Sequence, residues 1–215
     1  MKRYVSYAIM TLVASSIYPI SQIIIRSRII QKMSIYDAGI WEGLNRLSVV
    51  YLSVITTSLS VYYLPRLSEL KSNIDLRTEL VSAYKLIIPF LTFILFGLYI
   101  FKQQVVQLLF SNSFLEMSTL FKFQLIGDFF KIISWLIAYI MIAKSLTRIY
   151  VFTEILFSIS YVLMSIFFFN QNGLLGLSFA YMLNYLFYFL YLLIFFKKKY
   201  GRGSITEIHK STTVC

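Results

Sequence analysis

Charge is scarce in this sequence. Of its 215 residues only 13% are Asp, Glu, Lys or Arg, against about 25% in soluble domains. A water-facing surface cannot be built from so few ionisable groups, which excludes a soluble globular domain as the main body of the chain. Cysteine is almost missing. Cys215, the last residue, is the single one, so no intrachain disulfide can form and the redox compartment stays open. The only histidine, His209, sits in the polar tail, so a metal site is not expected. The sequence also lacks HExxH, paired cysteines, G-x-S-x-G and a glycine-rich phosphate loop. No enzymatic activity and no cofactor are therefore expected. An intramembrane transferase using Asp128 or Glu154 has nothing but residue types in its favour.

What the sequence has is apolar length. Hydrophobic residues make up 59% of the chain, with 20 Phe and 17 Tyr, a composition that suits lipid-facing surfaces and interfacial belts. The first apolar stretch, Tyr4 to Ile25, has no charge between Arg3 and Arg26. As a helix it spans roughly 33 Å, enough for a hydrocarbon core of about 30 Å. A signal peptide is the competing reading, but the apolar run continues well past the small residues Ala14-Ser15-Ser16. Pro19 is expected to kink this helix.

Five more spans are expected: 41–64 ending at Pro65, 80–101 with Lys85 snorkelling at its start, 120–143, 149–169 and 173–196. The short stretch Gln103 to Phe110 reads as an interfacial or re-entrant helix, and Asn170-Gln171-Asn172 with Gly173 as a tight turn. Continuous apolar runs of this length favour helices over alternating barrel strands. The fold class expected is thus an all-α membrane protein, with a six-helix lobe over 1–199 and a polar tail over 200–215.

Orientation follows from loop charge. Twelve Lys and Arg fall at one set of span ends, against four (Arg26, Arg28, Lys32 and Lys102) at the other. The richer set is placed in the cytoplasm, and with it both termini. The formal charge of +11 is thereby assigned to membrane topology and anionic headgroups, and nucleic acid is not expected as a partner.

Several polar groups lie where lipid would penalise them. Glu42 and Arg46 are four apart in the second span, and Asp128 and Lys131 are three apart in the fourth, so each pair can share a helix face. Glu154 lies one turn into the fifth span, while Gln22 and Asn184 add uncharged polar groups to the first and sixth. Such residues are expected to face a bundle interior or a wet cavity. Arg46 and Lys131 could there offer positive charge to an anionic substrate. Alternatively, the two pairs neutralise themselves and tie helices together.

The segment Ala38 to Leu70, AGIWEGLNRLSVVYLSVITTSLSVYYLPRLSEL, with the preceding PISQIIIR of Pro19 to Arg26, closely resembles the matching region of the Wzx-type O-antigen translocases. The likeness is nearest the branch that includes the enterobacterial common antigen flippases, within the multidrug/oligosaccharidyl-lipid/polysaccharide exporter superfamily. It covers nearly the whole chain, although the later spans match mostly in hydropathy. This resemblance implies a multi-pass protein of the bacterial inner membrane that moves an undecaprenyl-diphosphate-linked oligosaccharide between leaflets. It also implies a fold of two six-helix lobes around a central cavity, of which this sequence looks like the second. On that analogy Arg46 is the first choice for the diphosphate contact and Lys131 the second. Glu42 and Asp128 would hold these cations when the cavity is empty, and Gln22 and Asn184 would contact sugar hydroxyls.

The departure from the family is length, and a truncated or split gene, or a late-called start, is the expectation. The implied partners are membrane lipids, a separately encoded first lobe or a second copy of the chain, and components of a glycan polymerase. Two rival classes share the architecture: an ion-coupled exporter of small organic cations, which Arg46 and Lys131 argue against, and a non-transporting scaffold for glycan assembly.

Overall fold

A computed structural model describes residues 2–201, with side chains from Ala8 onward apart from Ala14. The polar tail beyond Gly201, with Arg202, His209, Lys210 and Cys215, lies outside the described residues. So do the side chains of Lys2 and Arg3.

Among the described residues the chain is helical, with no strand. α1 (Lys2–Lys32) and α2 (Ile35–Ser58) are joined at Ser34, whose hydroxyl accepts from the Asp37 backbone N–H at 3.1 Å. α2 passes through a π-turn, Leu59–Tyr63, into α3 (Leu64–Glu69). α4 (Asn73–Ile100) opens on a second serine cap, Ser72, which accepts from the Ile74 N–H. The short α5 (Lys102–Leu109) occupies the stretch expected to be interfacial. α6 (Met117–Ala143) and α7 (Thr147–Tyr200) complete the bundle.

Among the described residues five helices are long and apolar enough to cross a membrane, not the six expected. The difference lies in α7, a 54-residue run that contains the fifth and sixth expected spans. Its helical path breaks at Asn172 (φ −129°, ψ 15°) and Gly173 (φ 57°, ψ −139°). The second of these backbone conformations is open essentially to glycine alone. The break reverses the chain, because the Tyr188 hydroxyl donates to Glu154 at 2.9 Å across 34 residues. A straight helix would separate those positions by about 50 Å. α7 is thus a hairpin of two helical arms.

Pro65 does not end the second span as expected. Lacking an N–H, it cannot donate to the carbonyl four residues back. The preceding turn widens instead to the π pattern, with the Leu64 N–H on the Leu59 carbonyl, and the helix runs on to Glu69.

α6 is the centre of the bundle. In its most apolar stretch 67% of residues are buried, against 17–33% in the other four spanning helices. Phe121, Ile132 and Leu136 are fully enclosed on it. The crossing with the second arm of α7 is close because Gly127 has no side chain. A Cβ there would lie 2.4 Å from Cδ1 of Tyr181.

Candidate functional site

Polar and aromatic faces of four helices converge on one cavity of about 640 Å³, within the range usual for ligand sites. Lys131, Trp135 and Tyr139 face it from α6. Tyr150, Glu154 and Tyr161 face it from the first arm of α7, and Tyr181, Asn184, Tyr185 and Tyr188 from the second. These spacings of three, four, seven and eight put each set on one helix face. α1 adds Thr11, Ser15, Tyr18 and Ser21, with Ser21 and Ser158 joined hydroxyl to hydroxyl at 2.7 Å. α2 contributes only Val49, the π-turn after it Ser60 and α3 Leu64.

Lys131 lies midway along α6, about 20 Å from either end. Its ammonium sits over four rings: Trp135 at 5.3 Å, Tyr185 at 5.5 Å, Tyr18 at 5.6 Å and Tyr181 at 5.8 Å. Such contacts stabilise a desolvated cation by about 0.5–2 kcal/mol each. They do not neutralise it. Among the described residues no carboxylate comes within ion-pair distance of Lys131, so the expected Asp128–Lys131 pair does not form. An (i, i+3) spacing permits contact but does not compel it. Asp128, fully buried, takes hydroxyls instead: Ser48 at 2.8 Å, Tyr51, and Tyr181 at 2.7 Å. Glu154 is likewise engaged by Tyr188. Both intramembrane carboxylates are thus bound to tyrosines, and neither is within ion-pair distance of Lys131.

The remaining expected residues are distributed as follows. Glu42 and Arg46 do pair, at 2.6 Å, and Glu42 also reaches Arg26 at 3.4 Å. The Arg46 side chain is 77% exposed and does not line the cavity. Asn184 is buried in the cavity wall, and its carbonyl oxygen has no hydrogen-bond partner among the described residues. Gln22 is half-buried outside the cavity lining, with its amide nitrogen unpartnered among the described residues. Sequence reasoning missed the ring wall of Tyr18, Trp135, Tyr181 and Tyr185, whereas Glu154 does face the cavity. The signal was present: tyrosines at 181, 185 and 188 recur at helical spacing, but inside a continuous apolar run they read as lipid-facing aromatics.

The lipid III flippases of Escherichia coli (strain K12) and of Shigella flexneri are each 33% identical to the chain over 183 residues. That match is 85% of this chain and 44% of either relative, so the chain spans less than half their length. It falls in their C-terminal part. No family profile and no solved structure matches the chain. The chain is thus homologous to the C-terminal part of lipid III flippases, and among its described residues five helices are long and apolar enough to cross a membrane.

Proposed function

We propose that the chain is one lobe of a flippase that moves an undecaprenyl-diphosphate-linked oligosaccharide across the bacterial inner membrane. The observation that bears most weight is Lys131, a cation at mid-span with rings around it, no carboxylate on it, and a cavity in front of it. A charge at that depth costs about 3 kcal/mol or more unless it has a task or a partner. A diphosphate crossing the bilayer supplies the partner for part of each cycle, and charge-assisted hydrogen bonds make that contact strong. The tyrosine walls and the free Asn184 carbonyl suit sugar rings and hydroxyls, and Gln22 is assigned a lesser contact of the same kind. Arg46, with Glu42 holding it, is assigned to the outer part of the path.

In this reading each arm of α7 crosses the membrane, giving six crossings with both termini in the cytoplasm, as the distribution of Lys and Arg supports. The relatives' greater length supports a first lobe as the working partner, since alternating access needs two bodies that rock about a shared site.

The test is translocation of a fluorescent undecaprenyl-diphosphate oligosaccharide in proteoliposomes that contain this chain and a first lobe. Lys131→Ala is expected to reduce the rate at least tenfold, the scale of one charge-assisted contact, with membrane insertion unchanged. Lys131→Arg is expected to keep part of it. An unaltered rate in Lys131→Ala removes Lys131 from the path and the main support for this function.

A further inference from the structure

Asp128 is enclosed on every side. It is 0% exposed and does not line the cavity, so a substrate cannot touch it without rearrangement. Its carboxylate is instead the meeting point of two other helices. Oδ2 accepts from Ser48 and Tyr51, both on α2, and Oδ1 accepts from Tyr181 on the second arm of α7. Gln124, one turn earlier on α6, steadies Ser48 with a bond of 3.1 Å.

Tyr181 has two contacts of different kinds. Its hydroxyl belongs to Asp128, while its ring forms one wall around the Lys131 ammonium and meets the Tyr185 ring at 4.8 Å. Tyr185 is itself another wall, 5.5 Å from the same ammonium. The absent side chain of Gly127 lets the Tyr181 ring lie against α6. Tyr51 and Ser48, by contrast, touch neither the cavity nor Lys131.

We infer that Asp128 is a positioning residue that clamps α2 to Tyr181, so that the ring wall around Lys131 is complete only while α2 is seated on α6. Anion binding at Lys131 and the seating of α2 are then coupled: removing the α2 hydroxyls weakens a ligand they never contact. The inference rests on the reading of Lys131 as an anion site.

Trp135 provides the readout. The chain has two tryptophans, Trp41 and Trp135, and Trp41→Phe leaves the one beside Lys131. The full chain in lipid nanodiscs is titrated with farnesyl diphosphate, with farnesol and inorganic diphosphate as separate arms, and Trp135 emission is followed on folded protein. Farnesyl diphosphate is expected to shift the emission, and Lys131→Ala to abolish the shift. Asp128→Asn, Tyr181→Phe and Tyr51→Phe are each expected to weaken binding roughly tenfold, the scale of a hydrogen bond to a charged group. The Asp128→Asn/Tyr181→Phe double variant is expected to be no weaker than either single one, the non-additivity of a shared contact.

A merely structural Asp128 would lower stability and leave the affinity of the folded fraction alone. Parental affinity in Tyr51→Phe and Tyr181→Phe, with Lys131→Ala still silent, overturns the inference and spares the anion site. Those two ring-preserving variants decide the matter if Asp128→Asn fails to fold. Parental binding in Lys131→Ala, or an equal response to farnesol, overturns the anion site itself.

Discussion

Tyrosine hydroxyls, more than basic side chains, satisfy the carboxylates inside this bundle. Asp128 and Glu154 each engage a tyrosine from the second arm of α7, 53 and 34 residues away in sequence. That distance explains what could and could not be read beforehand. The Glu42–Arg46 contact was legible because helical spacing alone brings those residues together, and it is present at 2.6 Å. Asp128 and Lys131 have an equally suggestive spacing, yet their partners arrive from other helices, and no local rule foretells that. Gly127 offers a test at this scale. Gly127→Ala places a methyl where the Tyr181 ring now lies, 2.4 Å from Cδ1. Overpacking of this kind costs about 1–3 kcal/mol. Unfolding titrations with sodium dodecyl sulfate in mixed micelles are expected to show a loss in that range. No loss would mean that Tyr181 can step aside freely.

The existence of the helices followed from hydropathy, whereas their ends and interruptions did not. Expected spans 80–101 and 120–143 fall close to α4 and α6, but α4 starts earlier at Asn73, where the Ser72 cap extends it through polar sequence. Proline at position 65 read as a stop, and the π-turn before it allows passage instead. The end of α6 hides a different departure. Ser145 sits in the left-handed region at φ 53°, and the Leu146 N–H reaches back to the Met141 carbonyl at 2.8 Å while Ser145 bonds Ile142 at 2.9 Å. This is the six-to-one, five-to-two closure that usually employs glycine. Ser145→Gly relieves the strained φ and is expected to stabilise the protein by about 0.5–1 kcal/mol, read as a later midpoint in the same micellar titration. A lower midpoint would show that the serine side chain contributes more than its backbone costs.

At the scale of the whole molecule, the question is what faces the outside of α2. Arg46 is 77% exposed, about 16 Å into a spanning helix, with Glu42 as its only ion-pair partner among the described residues. Hydrocarbon is a poor neighbour for that group, whereas a second lobe or a hydrated cleft is a good one. The exposed Ser53 on the same helix does not add to the argument, because its hydroxyl bonds a carbonyl of its own helix. The chain alone, reconstituted in vesicles, is expected to translocate lipid-linked oligosaccharide no faster than empty vesicles. Co-expression with the N-terminal part of a lipid III flippase, the part this chain does not match, is expected to yield a co-purifying complex with measurable activity. Robust transport by the chain alone would mean that copies of it pair, which cross-linking would reveal.

The cage around Lys131 also bears on how the protein is made. α6 brings two charged side chains toward the lipid, but Tyr181 and Tyr185 are synthesised some fifty residues later. A nascent chain released into the bilayer at the end of α6 would have Ser48 and Tyr51 for Asp128 and the Tyr18 and Trp135 rings for Lys131, but neither wall from the second arm of α7. The enclosure of the two charges on α6 is therefore completed only when the hairpin behind it has joined the bundle.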